Sequence, residues 1–577
     1  MMQYKLIAGS LNSLQNPIET VLKNRGIVNV DEYLSLTAAS RDTYSNLDFI
    51  QEAVELFNKH FQNKDPIGIL ADNDVDGVCS ATLMYKFIKD LDENYDVRIY
   101  VHQKNKSHGL ADKDFEIDDD VKLLIVPDAG SNDVDEHCLL HENGVSCICV
   151  DHHQVTTLMY DNPAVIVNNQ TSKNYQNKNC CGASITMEFC RALEEFYWED
   201  ICDNYLDLVA VANVCDVMMI SEPETRAIIN EGLEQINNKM LQEIIKAQDF
   251  SMKGIVNPHT VGFYIGPLIN AFIRLATFEE RELLIKAFCE DESETFEYTK
   301  RGESFPIEEN IYEHVVRLMK SYKGKQDRSR DKAVSSLMKK TATIKNDKVA
   351  IINATEDIDG PLTGLVAIRI SEAINKPVLL VREHDGCLAG SGRAFNNCPI
   401  EDFRGLVEEC PYMDWGQGHN AAFGCQMPKD NIDLAKQWFN EKLKDVDMEK
   451  VYRVDFIIDV DDLNVGFIKT IDEYQNLWGH GVDEPVVAIE NVTIKRPDIQ
   501  VQGKNFDSIA FKIGDIKFVQ FKMTEDDKLL TWATSWDGED TDEITLNVVG
   551  EVSISEYKGI YTPQLIIKEN QITNGLD

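Results

Sequence analysis

Ile67-Gly68-Ile69-Leu70-Ala71-Asp72-Asn73-Asp74-Val75-Asp76-Gly77 is a short apolar run that ends on three acids at alternate positions. Short apolar, β-branched runs that stop at a polar, Gly-marked turn read as buried parallel strands. The pattern repeats twice. Val121-Lys122-Leu123-Leu124-Ile125-Val126 leads into Pro127-Asp128-Ala129-Gly130, and Val145-Ser146-Cys147-Ile148-Cys149-Val150 leads into Asp151-His152-His153. A fourth motif, Asn213-Val214-Cys215-Asp216, completes the set. In open α/β sheets, ligand sites lie at the carboxyl ends of the strands. Acids and imidazoles tens of residues apart therefore converge on one cleft. Carboxylates with a little imidazole form a hard to borderline ligand set that suits Mn²⁺ or Mg²⁺.

Each motif has an ordinary alternative. Asp72, Asp74 and Asp76 would serve as turn and cap residues before a helix, where Asp is favoured, and that helix is expected to begin after Gly77. Asp128 and Asp216 alone read as strand-end turns, and His152 and His153 as plain polar residues. Three acids at alternate positions repel one another, however, unless a cation sits among them. The ordered set of four is therefore read as a metal site.

A chain of 577 residues is too long for one core, and roughly three or four domains are expected. No apolar run approaches the roughly 20 residues needed to span a bilayer, and Met1-Met2-Gln3-Tyr4-Lys5 lacks the long apolar stretch of a signal peptide. The expectation is a cytoplasmic protein with no membrane partner. Its 14 cysteines are scattered without paired zinc-site spacing, and buried reduced thiols account for them. With 57 basic and 98 acidic residues the net charge is −41, which taken globally argues against nucleic-acid binding. The charge is uneven. From Arg317 to Lys348 there are 11 basic residues, including Lys323, Lys325, Arg328, Arg330 and Lys345, against Asp327, Asp331 and Asp347. That local excess reads as a strand-binding segment, and its alternative is a solvated linker helix.

The ordered motifs resemble the DHH phosphoesterase superfamily, named for the triplet at Asp151-His152-His153. Downstream, Ala389-Gly390-Ser391-Gly392-Arg393-Ala394 and Gly416-Gln417-Gly418-His419-Asn420-Ala421-Ala422-Phe423-Gly424 resemble the motifs of the DHHA1 domain, the usual partner of DHH domains. Glycines there would let backbone amides approach a phosphate, and an Arg would fork onto its oxygens. Within the superfamily, three further stretches are similar to RecJ-type exonucleases. They are Asn24-Arg25-Gly26-Ile27 with Glu32-Tyr33-Leu34, Gly266-Pro267-Leu268-Ile269-Asn270-Ala271-Phe272-Ile273-Arg274, and Trp478-Gly479-His480-Gly481-Val482-Asp483-Glu484-Pro485. The resemblance runs from about residue 20 to the end.

The expected fold is α/β. It comprises a helical lead-in over 1–45, a doubly wound DHH domain over 46–260, and a helical connector with the basic stretch over 261–345. A DHHA1 domain over 346–447 and a C-terminal β-barrel of the OB type over 448–577 complete it. The chain departs from the family in places. Asp359-Gly360-Pro361-Leu362-Thr363-Gly364 stands where a His-containing turn is frequent, Phe272-Ile273 replaces a small Ala-Gly pair, and Gln417 replaces a Gly. Such divergence would suit a viral or mobile-element version.

The resemblance implies two divalent ions, Mn²⁺ or Mg²⁺. Asp128 would bridge them, with Asp72 and Asp74 on one and Asp76, His152 and Asp216 on the other. Asp151 would orient a ligating imidazole from outside, and His153 would contact the scissile phosphate. Asn270, Arg274, Ser391, Gly392, Arg393 and His419 would hold the substrate. The implied activity is stepwise 5′→3′ hydrolysis of single-stranded DNA to mononucleotides in repair, recombination or replication, with a single-strand-binding protein or a helicase as partner. Two other functions stay open: a phosphodiesterase of short oligonucleotides or cyclic dinucleotides, and a non-catalytic replication scaffold.

Overall fold

The computed structural model describes residues 2–7, 14–37, 40–41, 43–104, 107–112, 114–156, 162–341, 346–358, 360–524, 527–535 and 543–574. Lys345 of the basic stretch and Asp359 of the divergent turn lie outside them. The chain divides into two compact units. One comprises Ile27–Gly324 with Gln475–Asp483, and the other Met1–Gly26, Lys325–Tyr474 and Glu484–Asp577.

The first unit is built on five parallel strands in the order Val97–Val101, Ile67–Ala71, Leu123–Pro127, Ser146–Asp151, Val165–Asn168. Ile67–Ala71 and Leu123–Pro127 are buried at every position, as strands covered on both faces must be. Chain direction across the sheet reverses between these two strands. Asp72 and Asp128 leave the sheet at that reversal, where open α/β sheets place their ligands. Helices Val75–Leu91 and Gly182–Tyr197 pack on the sheet, and Leu206–Cys215 packs on both of them. The expected helical connector is helical through Gly266–Leu275 and Phe278–Phe288, but a hairpin, Thr295–Tyr298 with Ile307–Asn310, interrupts it before the helix Ile311–Met338.

The second unit carries a five-stranded mixed sheet ordered Trp415–His419, Ala422–Pro428, Cys387–Arg393, Val378–His384, Ala350–Asn353. Its faces separate with the period-2 rule of strands. Ile351, Leu379 and Val381 join Phe403 and Phe439 in one core, while Ala350, Ile352 and Leu380 join Leu337, Val366 and Ile370 in another. A seven-stranded sheet, from Phe456–Asp459 at one edge to Gln500–Gln502 at the other, forms the C-terminal β domain. The lead-in is not wholly helical. Gln3–Leu6 is a strand that pairs in parallel with Val451–Val454, and Arg25 forks onto the buried Asp455 at 2.7 and 3.0 Å. All 14 cysteines are free, and among the described residues no helix is long and apolar enough to cross a membrane.

Candidate metal centre

Asp74 caps the helix that follows Ile67–Ala71. Its Oδ1 accepts the Gly77 N–H at 2.9 Å, so the helix begins at Val75, earlier than expected, and Asp76 lies in its first turn. The capping role suggested for these acids therefore belongs to Asp74. Asp76 reaches another helix instead, accepting the N–H groups of Gly182 at 2.6 Å and Ala183 at 2.8 Å. The N-terminus of Gly182–Tyr197 holds that carboxylate with its free amides and its dipole.

Asp72 is buried and gripped by two imidazoles that the motif reading missed. His108 Nδ1 lies 2.6 Å away and His102 Nε2 3.5 Å away, while His102 Nδ1 sits 2.8 Å from Asp114. Burial pushes the Asp72 carboxyl up, but the nearby imidazoles of His102 and His108 outweigh it and bring it down to about 2. Both histidines follow Val97–Val101, so the strand-end rule applied to the other motifs would have found them. Arg98 and Tyr100 break the apolar run of that edge strand and hide it.

Asp128 adopts φ +66°. A Cβ on Gly182 would stand 2.5 Å from the Asp128 Cβ, so only glycine fits there. Asp128 Oδ1 is buried without a hydrogen-bond partner among the described residues. Burial and then the charges of Asp76, Asp74, Asp72 and Asp216 raise this carboxyl well above the usual range. Asp216 is pushed up to about 8 by burial and then by Asp76 and Asp74. Asp74 is pushed up to about 6 by burial and then by Asp72 and Asp76. Asp216 is not a strand-end residue. It follows the buried helix Leu206–Cys215, whose unbroken apolar face mimics a strand in sequence.

His152 Nε2 lies 3.2 Å from Asp128, 3.6 Å from Asp216 and 3.8 Å from Asp76. Three overlapping groups result, each with its donor atoms within 4.8 Å of one another: Asp72, Asp74 and Asp128; Asp76, His152 and Asp216; Asp128, His152 and His153. Converging carboxylates, a buried carboxylate oxygen that accepts no hydrogen bond among the described residues and one imidazole fit divalent cations of the Mn²⁺ or Mg²⁺ kind.

Asp151 serves His153, not the imidazole facing the acids. Its Oδ1 accepts the His152 and His153 N–H groups at 2.7 and 3.1 Å and meets His153 Nδ1 at 2.8 Å. Burial pushes Asp151 up, but the His153 hydrogen bond and charge dominate and hold it well below the carboxylate range. For His153, burial alone would lower the ring, yet Asp151 raises it above its ordinary value. The His153 side chain is 44% exposed, and its ring meets that of His108 at 4.9 Å.

Asn270 and Arg274 sit one turn apart on the helix Gly266–Leu275. Burial lowers the Arg274 guanidinium, and the Asp74 charge opposes that shift. The remaining expected substrate residues belong to the other unit. Ser391, Gly392 and Arg393 end the strand Cys387–Arg393 and do not form a turn. A Cβ on Gly392 would stand 2.3 Å from the Phe423 ring and one on Gly390 1.9 Å from the Leu380 carbonyl, so these glycines admit close packing. Arg393 Nη1 donates to the Gly392 and Phe423 carbonyls at 2.7 and 3.2 Å. His419 is exposed at the end of Trp415–His419. In the basic stretch, Arg317 pairs with Glu309 at 2.9 Å, Arg330 with Asp327 at 2.8 Å and Lys340 with Asp357 at 2.6 Å. Part of its excess is therefore neutralised in place.

Comparison with known proteins finds relatives over the whole chain. The DHH family, N-terminal domain, matches residues 66–213, and the RecJ OB domain matches residues 454–569. A Bacillus subtilis protein named an SPbeta prophage-derived single-strand DNA-specific exonuclease is 34% identical over 99% of this chain and 98% of its own length. The single-stranded-DNA-specific exonuclease RecJ of Bacillus subtilis is 24% identical over 96% of this chain and 68% of its own. Among solved structures, RecJ in complex with Mn²⁺ from Thermus thermophilus covers 100% of this chain and 80% of its own, with TM-score 0.69 at 18% identity. The Mg²⁺ complex from the same organism covers 100% and 78%, with TM-score 0.65 at 16% identity.

Proposed function

The chain belongs to the RecJ-type single-strand-DNA-specific exonucleases of the DHH family, and on that premise we propose that it is a metal-dependent exonuclease that hydrolyses single-stranded DNA stepwise. The observation that carries this reading is the convergence of Asp72, Asp74 and Asp128 with Asp76, His152 and Asp216 where the strand order of the parallel sheet reverses. Two divalent ions, Mn²⁺ or Mg²⁺, would supply when bound the Lewis acidity and positive charge that phosphodiester hydrolysis needs. Asp128 is proposed to be shared between them, with Asp72 and Asp74 on one side and Asp76, His152 and Asp216 on the other.

The chain's own groups do the rest. His153, oriented by Asp151, which raises the ring above its ordinary value, donates to the scissile phosphate and offsets the charge that develops there. His108 and His102 hold Asp72 in its ionised, ligating state. Asn270 and Arg274 bind the strand beside the acids, and Ser391, Gly392, Arg393 and His419 bind phosphate from the second α/β domain. Polarity is proposed as 5′→3′ with mononucleotide products. The C-terminal OB domain would retain long strands, which favours this reading over a phosphodiesterase of short oligonucleotides or cyclic dinucleotides. The complete set of acids and imidazoles disfavours a non-catalytic scaffold. A cytoplasmic setting, with a single-strand-binding protein or helicase delivering the strand, fits this activity.

Digestion of single-stranded DNA labelled at either end, with Mn²⁺, Mg²⁺ or chelator, tests the proposal. Metal-dependent release of mononucleotides from the 5′ end is expected. Metal-independent cleavage, or none in either metal, refutes the reaction, and release from the 3′ end refutes the polarity.

A further inference from the structure

Two stretches that carry family resemblance far apart in sequence, 266–274 and 478–485, contribute to the same hollow of the first unit. Its volume is about 290 Å³, and its walls include Cys215, Val217, Phe263, Asn270, Gly479 and His480. His480 is fastened there through its carbonyl, which accepts the Ile220 N–H at 2.8 Å. Cys215 and Val217 flank Asp216 in the chain, so two walls of the hollow are the sequence neighbours of one acid of the cluster. Asn270 faces it, and Arg274, one helical turn further, interacts with Asp74. The chain thus places an apolar recess next to the residues proposed to handle the scissile phosphate.

The recess carries an exposed aromatic ring. Phe263 is 65% exposed, although a large apolar side chain normally gains by burial. It is backed by His259, whose ring lies parallel to it at 5.6 Å and 5°, and buttressed by Tyr264 at 5.5 Å. One Phe263 face is therefore supported while the ring stays accessible. The residue sits in a single π-helical turn, Val261–Ile265, directly before the helix of Asn270 and Arg274. Such turns are a recurrent way of aiming side chains at functional sites.

We infer that this hollow receives one nucleobase of the single strand, which stacks on Phe263 while its phosphate lies toward Asp216 and Arg274. The inference rests on the exonuclease reading above for the identity of the polymer. The recess offers an apolar wall and a π-face, and base–aromatic stacking is sequence-tolerant because every base has such a face. The occupant is therefore any of the four bases.

The test walks one abasic residue through the first four positions of a thymidine oligonucleotide and follows both release of the terminal nucleotide in Mn²⁺ and anisotropy of binding in chelator. One position is expected to slow release and weaken binding by roughly 5- to 150-fold in the parent protein. Phe263→Ala should lose a similar factor on the unmodified strand and become indifferent to the abasic position, and Phe263→Trp should restore both. Discrimination in binding without any hydrolysis would keep the base pocket and sink the exonuclease reading. A parent protein indifferent to every abasic position, or Phe263→Ala that keeps the full penalty, overturns the pocket and leaves Phe263 as a surface for something other than a base.

Discussion

Glycine and charge are put to opposite uses in the two motif-bearing regions. At the carboxyl edge of the parallel sheet, glycines clear room for acids. Gly77 abuts Asp72, Gly182 abuts Asp128, and a Cβ on either would approach the neighbouring Asp to 2.6 or 2.5 Å. In the Cys387–Arg393 strand they clear room for the Phe423 ring and the Leu380 carbonyl. In the first region burial, and then the neighbouring acids, raise Asp74 and Asp216 to about 6 and about 8, whereas Arg393 rests on backbone carbonyls. One region stores repulsion that a cation would relieve, and the other offers a modest grip on phosphate.

The sharpest way to break this contrast is Asp128→Ala. Loss of the carboxylate proposed to be shared between the two ions should lower the hydrolysis rate by two or more orders of magnitude, roughly 100-fold being the scale for one transition-state contact. The fold should survive, which circular dichroism would check. A rate within about threefold of the parent in saturating Mn²⁺ would contradict the assignment, since it falls far short of that scale.

Gly182→Ala should follow. It removes no ligand, but the new methyl displaces Asp128 and disturbs the amides that hold Asp76. A displacement near 1 Å costs on the order of 100-fold in a positioned reaction. If the variant's rate matches the parent's, the close packing of Gly182 on Asp128 has no catalytic meaning.

These effects also mark what was legible in the sequence. The parallel sheet and most of its acids could be read because a buried strand announces itself as an apolar run and its carboxyl end is where ligands gather. Asp216 misled because Leu206–Ala212 is buried all round, and a helix with no polar face has no readable period. His102 and His108 were missed because Arg98 and Tyr100 interrupt the edge strand before them. Asp151 next to two histidines could not reveal which ring it would hold, since that depends on the turn after Ser146–Asp151. The Gly-Ser-Gly-Arg stretch looked like a phosphate site because glycine serves close approach to a ligand and tight packing alike.

In the second region, Arg393→Ala should lower kcat/KM by about 1.5–3 kcal/mol if the guanidinium forks onto phosphate. Bound metal should stay unchanged. An unaltered rate at low substrate would reduce Arg393 to a strand residue that braces its own sheet. The smallest effect belongs to the helix Ile311–Met338. Lys320, Arg328 and Lys332 are exposed there, and replacing all three with Gln should flatten the slope of log K against log salt by up to about two units for a long strand. Cleavage of a dinucleotide should change little. An unchanged slope would make the segment a solvated helix.

If the five carboxylates and His152 form a two-ion centre, titration of metal-free protein with Mn²⁺ will show it. Calorimetry, with free Mn²⁺ followed by electron paramagnetic resonance, should find two ions per chain in the parent protein. Asp128→Asn, which keeps the shape and removes the charge, should lose one or both. A parent chain that binds no Mn²⁺, or an Asp128→Asn variant that still binds two ions with the parent's affinity, would contradict the account.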